Sequence, residues 1–578
     1  MEVTVKKDIL LIFKTHLDIG FTDLSENILN KYLSEYIPNA IRVGYELKDT
    51  KTPFVWTVGS WLVWQALKHD TDGTVERAVR DGILRWHALP FTTHTELMDP
   101  TLFSYGVGLS KKLDERFGYT TVGAKMTDVP SHTIGIVPIL KKMGISFLHL
   151  GVNPATPLPP VPPIFRWKCG EDEIRVMYQG DYGETMDLGD SIVIFAHTGD
   201  NLGPQSAEAV IAIYNELSEK YPDYEIKAAT IDDLAERVMA LKNLPVVDKE
   251  IGDTWIHGLG TDPEKVSRFK KVQRHLASLG GTDLDLTDSL LCVPEHTWGL
   301  NMKRHFPYDG FYSHEDVLRM RQECALPERS WREQREYVER AETLFQITPD
   351  YPIAEPNLSL YTECEIPSKL DFELSWQLFD NSDYERYQGD YMRCFSWWAI
   401  EDFTKVGLDD YKGGIFTAKV KRAYKKGEEM LYRLEFSQRT ANKYGLPYFY
   451  LSVSKGAVTL CWFGKQPSRL PQAFWLKMKG LEEDFEIHKM GRWIRPDDIV
   501  GSPLISGTDF GVRNADYTVE SLDCALVAPY GRRLLQYGVK NPKQNLYFNL
   551  YNNIWNTNFP MWYSDDAIFR FLISKNKK

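Results

Sequence analysis

Ile9-Leu10-Leu11-Ile12-Phe13-Lys14-Thr15-His16-Leu17-Asp18-Ile19-Gly20 lies close to the N-terminus. Its first five residues are an unbroken apolar run, rich in β-branched and aromatic side chains, which reads as a buried strand. The run is too short for the apolar core of a signal peptide, and no small-residue cleavage site follows it. The segment then turns polar. Residues two apart in an extended chain face the same side, so His16 and Asp18 converge on one point. In parallel α/β folds reactive side chains gather beyond the C-terminal ends of strands. An imidazole and a carboxylate meeting there suit a zinc ion. A capping His followed by a turn Asp fits the tripeptide alone equally well.

Working outward, similar short apolar runs recur at 54–58, 83–86, 121–126, 147–150, 174–178, 192–196 and 226–230. Helical patterns separate them, at 25–48, 101–117, 133–143, 206–220 and 232–242. Alternating strand and helix predicts a parallel sheet with crossover helices, and seven or eight such units predict a (β/α) barrel over residues 1–248. Charged segments with apolar residues at helical spacing, 262–279 and 314–346, predict a helical domain over 249–350. From 351 to 578 alternating stretches such as 372–378, 414–420, 430–436 and 546–551 predict an antiparallel β-sandwich.

The barrel reading assigns further strand ends. Asp128 stands where the fourth strand stops, with Pro130 preventing its continuation. Asp200, in Gly199-Asp200-Asn201, follows the run at 192–196. Two carboxylates at one mouth are what cleavage of a glycosidic bond needs. A shift of one residue would instead put Asn201 in the acid's place, where an amide cannot serve. His94 and Glu96 follow the third strand and could reach substrate hydroxyls or orient a ligand. Tyr178, Asp181 and Tyr182 follow the strand at 174–178 as pocket walls. Trp255 and Trp298 are candidates to stack on a sugar, although core packing accounts for any single Trp.

Composition limits the partners. A net charge of −12 in 578 residues argues against nucleic acid. No window approaches a membrane span. The seven cysteines, at 169, 292, 324, 364, 394, 461 and 524, lack any CxxC pair, which argues against a disulfide framework or thiolate metal site. The chain reads as cytoplasmic; a periplasmic or secreted form would need a leader already removed. A homo-oligomer is compatible with the sequence.

The pattern resembles the α-mannosidases of glycoside hydrolase family 38. The likeness runs through His16-Leu17-Asp18 with Gly20-Phe21-Thr22-Asp23, then Phe54-Val55-Trp56 ahead of Trp61 and Trp64. It continues through residues 96–100, Phe117-Gly118, Asp128-Val129-Pro130-Ser131-His132, Phe165-Arg166-Trp167 and Thr230-Ile231-Asp232-Asp233-Leu234. It ends in Asn552-Asn553-Ile554-Trp555-Asn556-Thr557-Asn558-Phe559. The resemblance implies a barrel, a three-helix segment and a β-domain, with one zinc held by His16, Asp18, Asp128 and a later His. His296 fits the family's order best, with His257 as rival; His257 would otherwise line the sugar pocket. The implied reaction is retaining hydrolysis of an α-linked sugar, with Asp128 as nucleophile and Asp200 as acid/base. Mn²⁺ or Co²⁺ could replace zinc on such ligands. Two other readings share the barrel: a metal-dependent carbohydrate deacetylase or lyase, and an inactive carbohydrate-binding relative.

Overall fold

A computed structural model describes residues 7–280, 288–306, 309–538 and 543–576. It divides into two compact units: residues up to 93 with 102–130 and 134–249, and residues 94–101 with 131–133 and 250–578.

Among the described residues the first unit carries eleven strands: β1 (Asp8–His16), β2 (Trp56–Gly59), β3 (Leu84–His87), β4 (Gly123–Asp128), β5 (Phe147–Val152), β6 (Ile164–Cys169), β7 (Asp172–Gln179), β8 (Met186–Asp187), β9 (Ser191–Asp200), β10 (Glu225–Ala228) and β11 (Val246–Val247). All eight expected strands are among them. One edge of β1 pairs with β10 over Asp8–Leu11 and then with β2, where Phe13 faces Trp56. Its other edge pairs with β9 along its whole length. Leu10 and Ile12 of β1 enter a core with Phe147, Met177, Val193 and Ile231.

The expected closed barrel is not what the ladders form. The strands fall into a six-stranded sheet, β3-β2-β1-β9-β8 with β10 on β1, and a five-stranded sheet, β11-β6-β7-β5-β4. Between β3 and β4 the chain makes a backbone bond, Ala88 N–H to Gly123 O at 2.9 Å, but no ladder among the described residues. The alternation of strand and helix breaks at β6 and β7, an antiparallel hairpin turned at Gly170 (φ +63°). Only Phe165, Trp167 and Cys169 of β6 are buried, while Arg166 and Lys168 alternate with them, so no apolar run marks the strand.

Helices form close to their expected places, at Pro100–Phe117, Ile136–Lys142, Ala207–Lys220 and Ile231–Ala240. The stretch expected as one helix at 25–48 is interrupted. Ser25–Lys31 passes through a π-helical turn, Tyr32–Tyr36, before Ile37–Leu47.

In the second unit, Pro263–Ser278 and Leu326–Leu344 are joined by Arg268, whose guanidinium meets Glu342 at 2.5 Å. A ten-stranded antiparallel sheet and a six-stranded sheet follow. Trp462 of the larger lies 5.3 Å from Phe474 of the smaller and 6.2 Å from Tyr551. Helices Asn381–Tyr391, Trp397–Phe403 and Gln438–Tyr444 interrupt the expected all-β stretch. Fully buried in this unit, Lys489 Nζ meets Glu96 Oε2 at 2.5 Å and Glu250 Oε1 at 3.0 Å. Gly507 N–H donates to Glu96 Oε2, and Thr133 Oγ1 to Glu250 Oε2. Among the described residues no helix is long and apolar enough to cross a membrane.

Candidate functional site

The C-terminal ends of β1, β4 and β9 build the site in the first unit. Lys14 of β1 pairs with His197 of β9, yet two residues later His16 pairs with Asp200, three further on. The extra residue is a bulge, a device that re-aims side chains beside active sites. Gly199, at φ +117°, supplies the backbone it needs. The bulge sets the backbone of Asp200 opposite His16.

His16 and Asp18 are each 3% exposed, and His16 Nε2 lies 3.1 Å from Asp18 Oδ1. The other ring nitrogen, Nδ1, is 3.1 Å from Thr127 Oγ1. Tyr182 stacks on the His16 ring at 4.9 Å and donates its hydroxyl to Asp128 Oδ1 at 2.6 Å. Asn153 Nδ2 donates to the same oxygen at 3.1 Å. One tyrosine thus links the His16–Asp18 pair to Asp128. Burial, then the charges of Asp128 and Asp200, push the Tyr182 phenol well above its ordinary range, so it remains a donor. Asp128 has φ +88°, a region L-residues avoid.

Asn201 is spoken for by the backbone. Its Nδ2 donates to Asp18 O (3.0 Å) and Thr22 Oγ1 (3.1 Å), and its Oδ1 accepts from Asp18 N (3.0 Å). The π-helical turn brings Tyr32 OH to its side-chain oxygen (3.2 Å) and Tyr36 OH to its main-chain oxygen (2.8 Å). Asn201 therefore fixes the loop that carries Asp18. Asp200 is half-buried, and its charge acts on Lys14, Tyr32 and Tyr182. Tyr178 is turned to a different task, donating to Pro130 O at 2.6 Å.

The remaining candidates belong to the second unit. His296 is buried, with Nδ1 2.6 Å from Glu295 Oε1. The backbone N–H of His94 donates to Pro294 O (2.8 Å); burial first, then the neighbouring His296, His132 and Lys265, holds its imidazole neutral. Glu96 is held by Lys489 and Gly507. His257 stacks on Trp555 at 5.9 Å, and burial lowers it to about 3. The Trp298 ring lies under Lys265 Nζ at 3.7 Å, and Trp255 packs on Phe403.

Trp255 and His257 lie on a 3₁₀ turn, Thr254–Gly260, capped by Asp253, whose Oδ1 accepts from Trp255 N and Tyr391 OH. Burial raises the Asp253 carboxyl from its ordinary 3.8 to about 7, despite these bonds. The folded state therefore keeps a proton that the unfolded chain releases near pH 4. The stabilisation is full below that value and is lost as pH rises through 7, at up to about 1.4 kcal/mol per pH unit. Denaturant titrations of Asp253→Asn are expected to lack this slope, because an amide oxygen keeps the cap without ionising.

Sequence reading alone did not single out Lys14, Lys125, Thr127 or Asn153. All four are polar, and all but Asn153 lie on strands whose apolar neighbours signalled core.

Residues 259–350 match a family model described as a domain of unknown function (DUF5054). No curated protein matches the sequence. In fold, the chain is similar to an alpha-mannosidase from Enterococcus faecalis V583: TM-score 0.61 at 9% identity, over 99% of this chain and 87% of that one. It is also similar to a protein in the Glycosyl Hydrolase Family 38 from Enterococcus faecalis: TM-score 0.55 at 10% identity, over 100% and 86%.

Proposed function

The chain has a divergent form of the glycoside hydrolase family 38 fold, and from that premise we propose that it is a zinc-dependent retaining glycosidase acting on an α-linked sugar, mannose-like in its hydroxyl pattern. The observation that carries the reading is Asp128: a carboxylate at a strand end, in strained backbone, fixed through one oxygen by Tyr182 and Asn153 beside the His16–Asp18 pair.

The pair fits a metal. With its proton on Nδ1, toward Thr127 Oγ1, His16 turns the Nε2 lone pair to Asp18 Oδ1. In that tautomer two acceptors face each other at 3.1 Å, an arrangement that a cation would complete. Zinc with ligands at about 2.0–2.2 Å and tetrahedral angles sets neighbouring ligand atoms roughly 3.3 Å apart, close to the spacing present. His16, Asp18 and Asp128 would hold it, with His296 proposed as fourth ligand on sequence order. When bound, the ion would fix two sugar hydroxyls and so orient and distort the ring.

The chain's own residues do the rest. Asp128 attacks the anomeric carbon and forms a glycosyl-enzyme, guided through the oxygen that Tyr182 and Asn153 hold. Asp200 gives a proton to the leaving oxygen, then takes one from the incoming water. Both carboxylates return to their starting state after one turnover.

The test is an assay across aryl α-glycosides with the product anomer resolved. Activity should fall on chelation and return with zinc, and the first product should keep the substrate's configuration. Activity that survives complete metal removal would sink the zinc assignment. Turnover of N-acetylated sugars alone would favour the deacetylase reading. Asp200→Asn is expected to lose roughly 10²–10⁴-fold on poor leaving groups and much less on dinitrophenyl glycosides, which leave without a proton. An equal loss on both would remove Asp200 from the acid role.

A further inference from the structure

The second unit carries a cavity that the proposed chemistry does not use. Its volume is about 240 Å³. The helix Leu326–Leu344 lends it Glu328, Trp331, Arg332 and Arg335, a stripe at helical spacing along one face. Arg321, from the helix His314–Glu323, adds to the wall. Residues 562–565, ahead of the strand Ala567–Lys575, contribute the rest.

The wall is polar, and bonds within the protein hold it in shape. Arg321 Nε donates to Glu328 Oε1 at 2.6 Å and its Nη2 to Ser564 Oγ at 2.7 Å. Trp562 Nε1 donates to the same Glu328 oxygen at 2.6 Å. Arg335 Nη1 donates to Asp565 Oδ2 at 3.1 Å, and its Nε to Asp262 Oδ2 at 2.7 Å. Trp331 packs edge-on against Trp562, ring centroids 4.8 Å apart. These bonds leave part of the wall's capacity unspent. Arg332 is exposed and makes no ion pair or hydrogen bond among the described residues. Glu328 Oε2 and Asp565 Oδ1 accept nothing there. Ser564 Oγ accepts from Arg321 and keeps its own proton to donate.

Donors and acceptors therefore stand side by side. An anion would gain from Arg332 but face two carboxylates, and a cation would face three guanidinium groups. A neutral ligand whose hydroxyls both donate and accept meets neither penalty. The volume lies below the roughly 300 Å³ at which pockets for drug-sized ligands begin, which limits the ligand to about one ring. Trp331 and Trp562 add apolar wall for the C–H groups of such a ring. We propose that this pocket is a saccharide-binding site, separate from the reactive site of the first unit, which holds one neutral sugar ring by its hydroxyl groups. Arg321, Glu328 and Arg335 are already fixed by bonds within the protein, so little side-chain freedom is lost when the ring arrives. Arg332 supplies the donors that the protein leaves open. The pocket shares no residue with the group formed by His16, Asp18 and Asp128, so the inference does not rest on the glycosidase reading.

Crystals soaked in methyl α-mannoside should show a pyranose ring in this cavity, with hydroxyls within hydrogen-bonding distance of Arg332 and of Glu328 or Asp565. Ordered water alone at saturating sugar would overturn the proposal. In solution, saturation-transfer NMR titrations with the same sugar give the affinity. Arg332→Ala removes an exposed side chain and breaks no bond, so the variant should fold as its parent does. On a His16→Ala background it is expected to weaken binding roughly tenfold or more. Unchanged affinity in that variant would refute the site. Binding lost with His16→Ala alone would also refute it, while leaving the glycosidase reading intact. Sodium phosphate that displaces the sugar from the crystal pocket would assign it to an anion, which likewise overturns the proposal.

Discussion

Replacing Asp128 with asparagine is expected to lower turnover of an aryl α-mannoside by roughly 10⁴- to 10⁶-fold, the scale seen when a nucleophile that acts as part of a unit is removed. The substitution is nearly isosteric. Asparagine keeps an oxygen for Tyr182 and Asn153, and it tolerates positive φ better than most residues. The fold should therefore survive, as circular dichroism and unfolding would show. Three variants then separate the roles. Asp128→Asn should lose the covalent intermediate, read by mass spectrometry after a slow-turnover fluorosugar. Asp200→Asn should retain that intermediate and regain rate when azide replaces water. His16→Ala should lose bound zinc, measured by elemental analysis, along with activity. Labelling of Asp128→Asn at the wild-type rate would place the nucleophile elsewhere.

The second large effect concerns stability. Lys489→Met is expected to destabilise the protein by about 3–5 kcal/mol, because it leaves Glu96 and Glu250 buried with no cation between them. Both carboxylates are almost fully buried. Unfolding by urea should shift to a lower midpoint with little change in slope, since the surface exposed on unfolding is nearly the same. The triple variant Lys489→Met, Glu96→Gln, Glu250→Gln should recover much of the loss, as it no longer buries charge. A triple variant no better than the single one would mean that packing around the Lys489 stem, rather than charge, sets the effect. Glu96 was expected near substrate from its place after a strand. On this account its carboxylate is a structural anion.

What the sequence disclosed follows from what it can encode locally. β1 and the polar residues after it were legible because a buried strand is an apolar run and its end is where the run stops. Asp128 was legible for the same reason, with Pro130 as punctuation. The division of the strands into two sheets was not, because β6 alternates charged and buried residues and closes an antiparallel hairpin that no apolar run signals. Asn201 could not be assigned from its neighbours. Its clamp on Asp18 joins residues 183 apart, and its tyrosine partners arrive through a π-helical turn inside a pattern that reads as ordinary helix.

The backbone at Asp128 bears on how this site could be lost. A non-glycine residue held at φ +88° costs on the order of 1–3 kcal/mol, which the fold must carry at all times. A glycine there would release the strain but leave Tyr182 OH and Asn153 Nδ2 without their shared acceptor, so Asp128→Gly is expected to do no chemistry and to unfold close to the parent. An aspartate in so unfavourable a conformation fits the nucleophile's role proposed for it.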